Sequence, residues 1–132
     1  MIGLRFESTE RIVPAVNLYF YNTMSRQREL FEPLSTDAVR LYTCGPTVYN
    51  YAHIGNFRAY VFEDILRRVL QYAGHKVIQV MNLTDVDDKT IRGAQEAGLP
   101  LCEYTRPYIE AFFDDIRQLN VEKAERYPAA TD

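Results

Sequence analysis

Residues Arg40–Asn56 read RLYTCGPTVYNYAHIGN. The first six alternate apolar and polar side chains and end at Gly45-Pro46, the pattern of a strand running into a loop. Beyond that loop Phe62, Ile65, Leu66, Val69, Leu70 and Ala73 recur at spacings of three and four. They predict one apolar helical face that stops at Gly74, with Asn56 as the helix N-cap. KVIQVMN, from Lys76, is then a short β-branched run that gives way to the polar loop LTDVDD. A strand, a helix and a strand in this order make a βαβ unit, so the expected class is α/β with parallel strands and a right-handed crossover.

The flanks read more simply. The first sixteen residues mix charge and apolar positions without a period, as a flexible lead-in does. NLYFY and RELFE, separated by NTMSRQ, predict a β-hairpin from about Asn17 to Glu32. Downstream, Asp87 or Asp88 can cap a short helix through Ile91 and Ala94 that Gly98 ends. Ile109, Phe112, Phe113, Ile116 and Leu119 form a further apolar stripe, with Pro107 expected in the first turn of that helix. The tail KAERYPAATD is polar and carries no structural stop.

Composition limits what such a chain can do. At 132 residues, 47% hydrophobic and 25% charged, it suits one compact domain with room for one site. The net charge of −3 divides into +2 over Met1–Lys76 and −5 over Val77–Asp132, so neither half offers the basic stripe of a freestanding nucleic-acid binder. Cys44 and Cys102 occur in a chain without a signal-peptide pattern or an apolar run able to span a bilayer. Free thiols in a reducing cytoplasm are the expectation.

In an open parallel sheet ligands sit outside the carboxyl ends of the strands, where the loops after Cys44 and after Asn82 both fall. His53, Gly55 and Asn56 stand at the start of the long helix, where backbone N–H groups and the helix dipole favour an anion such as a phosphate. Each residue also has a plainer explanation. Taken alone, Cys44 suits a small buried hydrophobe, His53 and Asn56 suit caps, and Gly45 and Gly55 suit turns. Asp85, Asp87 and Asp88 suit a solvated capping cluster, Tyr49 and Tyr51 the core, His75 an exposed turn, Asp114 and Asp115 a wet helix face, and Cys102 a structural position.

The string as a whole changes that balance. YTCGPTVYNYAHIGNFRAYVFEDILRRVLQYAGHKVIQVMNLTDVDDKTI resembles the amino-terminal part of the catalytic domain of the cysteine-tRNA ligases, which are class I aminoacyl-tRNA synthetases, and the resemblance runs from about Leu18 to the end. Its most specific elements are TCGPTVY, the AHIGN version of the "HIGH" signature, and NLTDVDDK. The resemblance implies a partial Rossmann-like (HUP-type) fold behind an N-terminal hairpin, with residues 17–132 as an incomplete half of the catalytic domain. It also implies activation of cysteine with ATP and magnesium to cysteinyl-adenylate, then transfer to tRNA(Cys). His53 and Asn56 would contact the ATP phosphates and stabilise charge at the α-phosphate. Gly45 and Gly55 would belong to the ATP site, Gly55 by admitting the adenine, while Thr47 and Thr84 would lie near the substrate cysteine. Cys44 matches the first ligand of a catalytic zinc that binds the substrate thiolate, a soft-metal preference that rejects serine where an apolar pocket could not.

After Cys44 the family's other zinc ligands, its KMSKS lysine loop and the second half of its nucleotide fold have no counterpart here, and Ala129 replaces a usually basic residue. The chain thus resembles a fragment, expected to neither hold zinc tightly nor charge tRNA alone, with an open half-sheet that invites self-association. Two other expectations stand beside it. One is the related cysteine ligase of mycothiol synthesis, disfavoured by Val48 and Ile54; the other is a non-catalytic remnant that binds a partner.

Overall fold

The computed structural model describes residues 16–132, so the lead-in expected over the first sixteen residues lies outside the described residues except for Val16. The element order is β1 (Tyr19–Asn22), β2 (Gln27–Leu30), β3 (Val39–Thr47), α1 (Ile54–Tyr72), β4 (Val77–Thr84), α2 (Asp88–Ala97) and α3 (Leu101–Gln118). β1 and β2 pair antiparallel as the expected hairpin, with Tyr19 opposite Leu30. β3 and β4 pair parallel from Val39 opposite Val77 to Thr47 opposite Thr84, with a register shift between Cys44 and Thr47. The strand therefore runs through Gly45-Pro46 instead of stopping there. Gly45 is not a turn residue: a Cβ on it would lie 2.0 Å from the Asn82 carbonyl oxygen.

The polar tail, which carries no stop signal in sequence, extends this sheet. Leu83 N–H donates to the Pro128 carbonyl (2.8 Å), Met81 N–H to the Arg126 carbonyl (3.1 Å), and Val80 and Leu83 form parallel bridges with Arg126 and Ala129. The tail is fixed further by Asp85, whose carboxylate accepts from the Ala130 N–H (2.9 Å) and the Thr131 hydroxyl. Asp85 is accordingly buried, not part of a solvated acidic cluster.

One face of the sheet carries the core. Phe57 and Tyr60 of α1, Met81 and Leu83 of β4, Phe112 and Ile116 of α3 and Ala124 form a single buried cluster. The helical period expected for α1 is correct but its phase is only partly so: Leu70 is buried as expected. Phe62 is 64% exposed and Ile65 54%, whereas Asp64 and Arg67 are buried. The tail causes this. Asp64 accepts from Glu122 N–H (2.9 Å), and Arg67 donates to the Lys123 carbonyl (3.0 Å), to Gln79 Oε1 (3.3 Å) and to Glu125 Oε1 (2.8 Å). Polar groups with partners more than fifty residues away take two buried positions of α1, while Phe62, Ile65 and Val69 of the expected stripe stay exposed.

Two further expectations change. α3 begins at Leu101, not near Pro107, so the proline sits inside the helix. It lies on the exposed side, where water can satisfy the Glu103 carbonyl left without an N–H donor. His75 is half-buried, its ring edge-on to Phe31 at 5.6 Å, and Phe31 in turn meets Phe20 at 5.3 Å. That contact ties the hairpin to the end of α1. α2 follows its sequence signals, with Asp87 as N-cap and Gly98 closing it at φ 66°. Among the described residues no helix is long and apolar enough to cross a membrane.

Candidate nucleotide site

At the carboxyl end of β3 lies a cavity of about 320 Å³ lined by Gly45, Pro46, Thr47, residues 49–53, Asn56, Tyr60 and Lys89. It brings together four of the seven residues singled out from sequence: Gly45, Thr47, His53 and Asn56. Cys44, Gly55 and Thr84 stand just outside its lining. Thr84 is opposite Thr47 in the sheet, and its carbonyl accepts from Val48 N–H at 3.1 Å. Cys44 is exposed on the strand, since the buried neighbour Thr43 takes the face toward α1, and Cys102 is exposed on α3 instead of packed.

The start of α1 has a specific wiring. His53, not Asn56, is the N-cap, in extended geometry with φ −112° and ψ 171°. Its Nδ1 accepts from Gly55 N–H (3.0 Å), and Asn56 Oδ1 accepts from His53 N–H (3.1 Å). This reciprocal cap has a chemical consequence. An imidazole that accepts at Nδ1 carries its proton at Nε2, and an amide that accepts at Oδ1 keeps both Nδ2 protons. Capping uses the acceptors of both side chains and leaves their donors to whatever occupies the cavity, beside the positive end of a 19-residue helix.

The rim is aromatic, which the sequence did not announce. Tyr49 and Tyr51 are exposed, not core, and Tyr51 stacks edge-on with Tyr108 of α3 at 5.1 Å. The Tyr104 hydroxyl donates to the Tyr49 carbonyl (2.8 Å), and Lys89 Nζ sits 4.8 Å from the Tyr49 ring centre. Tyr60 forms part of the floor, its hydroxyl pushed up to about 12 by burial, with further contributions from Glu63 and Cys44. Burial likewise raises Glu63, partly offset by the Thr43 hydroxyl, and its Oε2 is buried without a partner. Tyr60 could have been found from the Phe57, Tyr60, Asp64, Arg67 spacing; Lys89 closes the NLTDVDDK string but has no local signal of its own.

Zinc does not fit these residues as a set. Among the described residues no group of three or more His, Cys, Asp or Glu side chains is placed to hold a metal, and Cys44 stands alone. A structural or catalytic zinc needs three or four protein ligands.

The fold is that of class I tRNA synthetases. A Mycobacterium tuberculosis methionyl-tRNA synthetase in complex with methionyl-adenylate superposes with TM-score 0.62 over 70% of this chain and 18% of its own, at 20% identity. An Agrobacterium radiobacter LeuRS in a ternary complex with tRNA and LeuAMS does so with TM-score 0.61 over 76% and 13%, at 23% identity. More specifically, the chain belongs to the family described as tRNA synthetases class I (C) catalytic domain, whose model matches residues 30–132. Its relatives include the cysteine-tRNA ligases of Protochlamydia amoebophila, 58% identical over 93% of this chain and 26% of the relative, and of Chlamydia pneumoniae, 64% identical over 86% and 24%. The chain spans about a quarter of the length of these relatives.

Proposed function

We propose that these residues form the ATP-facing and part of the cysteine-facing wall of a cysteine-tRNA ligase. The observation that carries this is the reciprocal cap, which uses the acceptors of His53 and Asn56 and leaves their donors unengaged by the cap, where an anion can accept from them. In the reaction a cysteine carboxylate oxygen attacks the α-phosphorus of magnesium-bound ATP, the bond to pyrophosphate breaks, and cysteinyl-adenylate forms; the amino acid then passes to tRNA(Cys). His53 Nε2–H and Asn56 Nδ2 donate to oxygens of the triphosphate, where fixed donors stabilise charge that develops in the transition state. Gly45 lets the strand pass close to β4 beside the nucleotide. Thr47 and Thr84, opposite each other at the strand ends, face the amino acid. Among the described residues Cys44 is the one that would hold a zinc, which when bound would supply a soft centre for the substrate thiolate.

The test uses the 132-residue chain itself. ATP should bind saturably in calorimetry, His53→Ala should weaken it about tenfold, the scale of one hydrogen bond to a charged group, and cysteine-dependent pyrophosphate exchange should be undetectable. Unchanged ATP affinity in His53→Ala would remove the histidine from the site, and measurable exchange would show that these residues suffice for chemistry.

A further inference from the structure

The cap supplies neutral donors only, so the cavity's formal charge must come from elsewhere. Of the residues that line it, Lys89 alone carries a full positive charge. We propose that Lys89 is a phosphate-binding residue of this pocket, seated by the ring of Tyr49. The inference rests on the ATP reading above and adds to it a second wall, contributed by α2.

Lys89 is the second residue of α2, and its backbone N–H is fixed by the Asp87 carboxylate at 2.9 Å. Asp87 is thereby engaged in the helix cap, and among the described residues no carboxylate forms an ion pair with the Lys89 ammonium. What it has instead is the Tyr49 ring, 4.8 Å from Nζ. The difference matters for function. A carboxylate partner would cancel the charge, whereas the quadrupole of an aromatic face orients an ammonium without neutralising it. Tyr49 is itself held, because its carbonyl accepts from the Tyr104 hydroxyl of α3. The ammonium is thus aimed by two helices and remains available to an anion.

The ligand class follows. A single phosphate needs only the cap at α1, but a polyphosphate can engage the cap donors with one group and the ammonium with the others. In adenylate formation the leaving pyrophosphate gains negative charge as its bond to the α-phosphorus breaks. A fixed ammonium beside it favours that departure.

ATP, inorganic pyrophosphate and adenosine, titrated into the 132-residue chain by calorimetry at low and high salt, separate the possibilities. Lys89→Met should weaken ATP and pyrophosphate about tenfold and leave adenosine unchanged, with the difference shrinking as salt rises. Lys89→Arg should retain ATP, and Tyr49→Leu should fall between the parent and Lys89→Met. Equal ATP affinity in the parent and Lys89→Met overturns the assignment of Lys89 while leaving the ATP site intact. A loss shared by ATP and adenosine overturns it as well, since it marks a structural effect. Failure of the parent chain to bind ATP removes the site reading and this inference together.

Discussion

The imidazole of His53 occupies the space in which any residue but glycine at position 55 would place its Cβ: that atom would lie 2.8 Å from the His53 Cε1 and 3.0 Å from Nδ1. Gly55 therefore keeps the cap histidine in its seat, and the two residues act as one unit in the structure.

Gly55→Ala tests that unit. Alanine is favoured over glycine in a helix by up to about 1 kcal/mol, and loss of a side-chain cap costs about as much. The melting temperature should move little while ATP affinity falls. A double-mutant cycle identifies the cause: in a His53→Ala background Gly55→Ala should have no further effect if glycine acts through the imidazole, and a full further loss would instead indicate direct contact with adenine.

The Tyr104 hydroxyl anchors the loop between β3 and α1 through the Tyr49 carbonyl. Tyr104→Phe removes that bond and should cost about 1 kcal/mol or less, the net worth of one neutral hydrogen bond. The local effect should be larger than the global one. Amide exchange in residues 49–53 should accelerate while β4 stays protected; unaltered exchange in the loop would mean that the contact does not hold it.

Arg67 links α1 to β4 and to the tail. Its side chain is 9% exposed, paired with Glu125 at 2.8 Å, and its Nε lies 3.1 Å from Glu122 without the alignment of a hydrogen bond. Arg67→Met should destabilise the fold by about 3 kcal/mol in urea unfolding, the low end of the range for breaking a buried pair, because both glutamates remain partly in water. Proteolysis near residues 123–132 should rise with it, and a resistant tail in the variant would count against the link.

Glu63 gives a pH dependence whose sign can be worked out. Burial raises its carboxyl above the ordinary glutamate value, so the folded state binds that proton more tightly than the unfolded chain. Its contribution to stability is fully present below the unfolded value of 4.5 and is lost as pH rises through the raised folded value. Relative to Glu63→Gln, the parent should therefore gain stability as pH falls from 7 toward 4.5, as measured by denaturant midpoints of both proteins. Glu125 titrates the other way: burial alone would raise it, but the Gln79 N–H, its own N–H and Arg67 outweigh that and lower it. The comparison with Glu63→Gln cancels this second group, and a gap that widens with rising pH in the parent's favour would reverse the assignment.

Much of the site was legible because its parts are local. TCGPTVY and AHIGN lie within one strand, one loop and one helix start, so their order alone carries Gly45, Thr47, His53 and Asn56 to the same cavity. The cap assignment was displaced by three residues because a histidine can accept at Nδ1 as an aspartate would at its carboxylate, and spacing does not distinguish the two. Tyr49 and Tyr51 were not legible as rim residues, since an aromatic in a loop carries the same signal whether it packs inward or meets a second helix.

By itself the sequence determined the period of each helix, the hairpin and the family, which depend on neighbours a few residues apart or on contiguous strings, and it determined the parallel sense of β3 and β4 through the strand–helix–strand order. Tertiary structure decided which face of α1 is buried, where the tail lies and which cation enters the cavity. Asp64 and Arg67 reach the sheet side because Glu122, Lys123 and Glu125 receive them there, and Lys89 reaches the pocket because the Tyr49 loop is pinned to α3. These outcomes depend on individual side-chain partners distant in the chain, which no local period or element order specifies and whose complementarity exists only once the chain has folded.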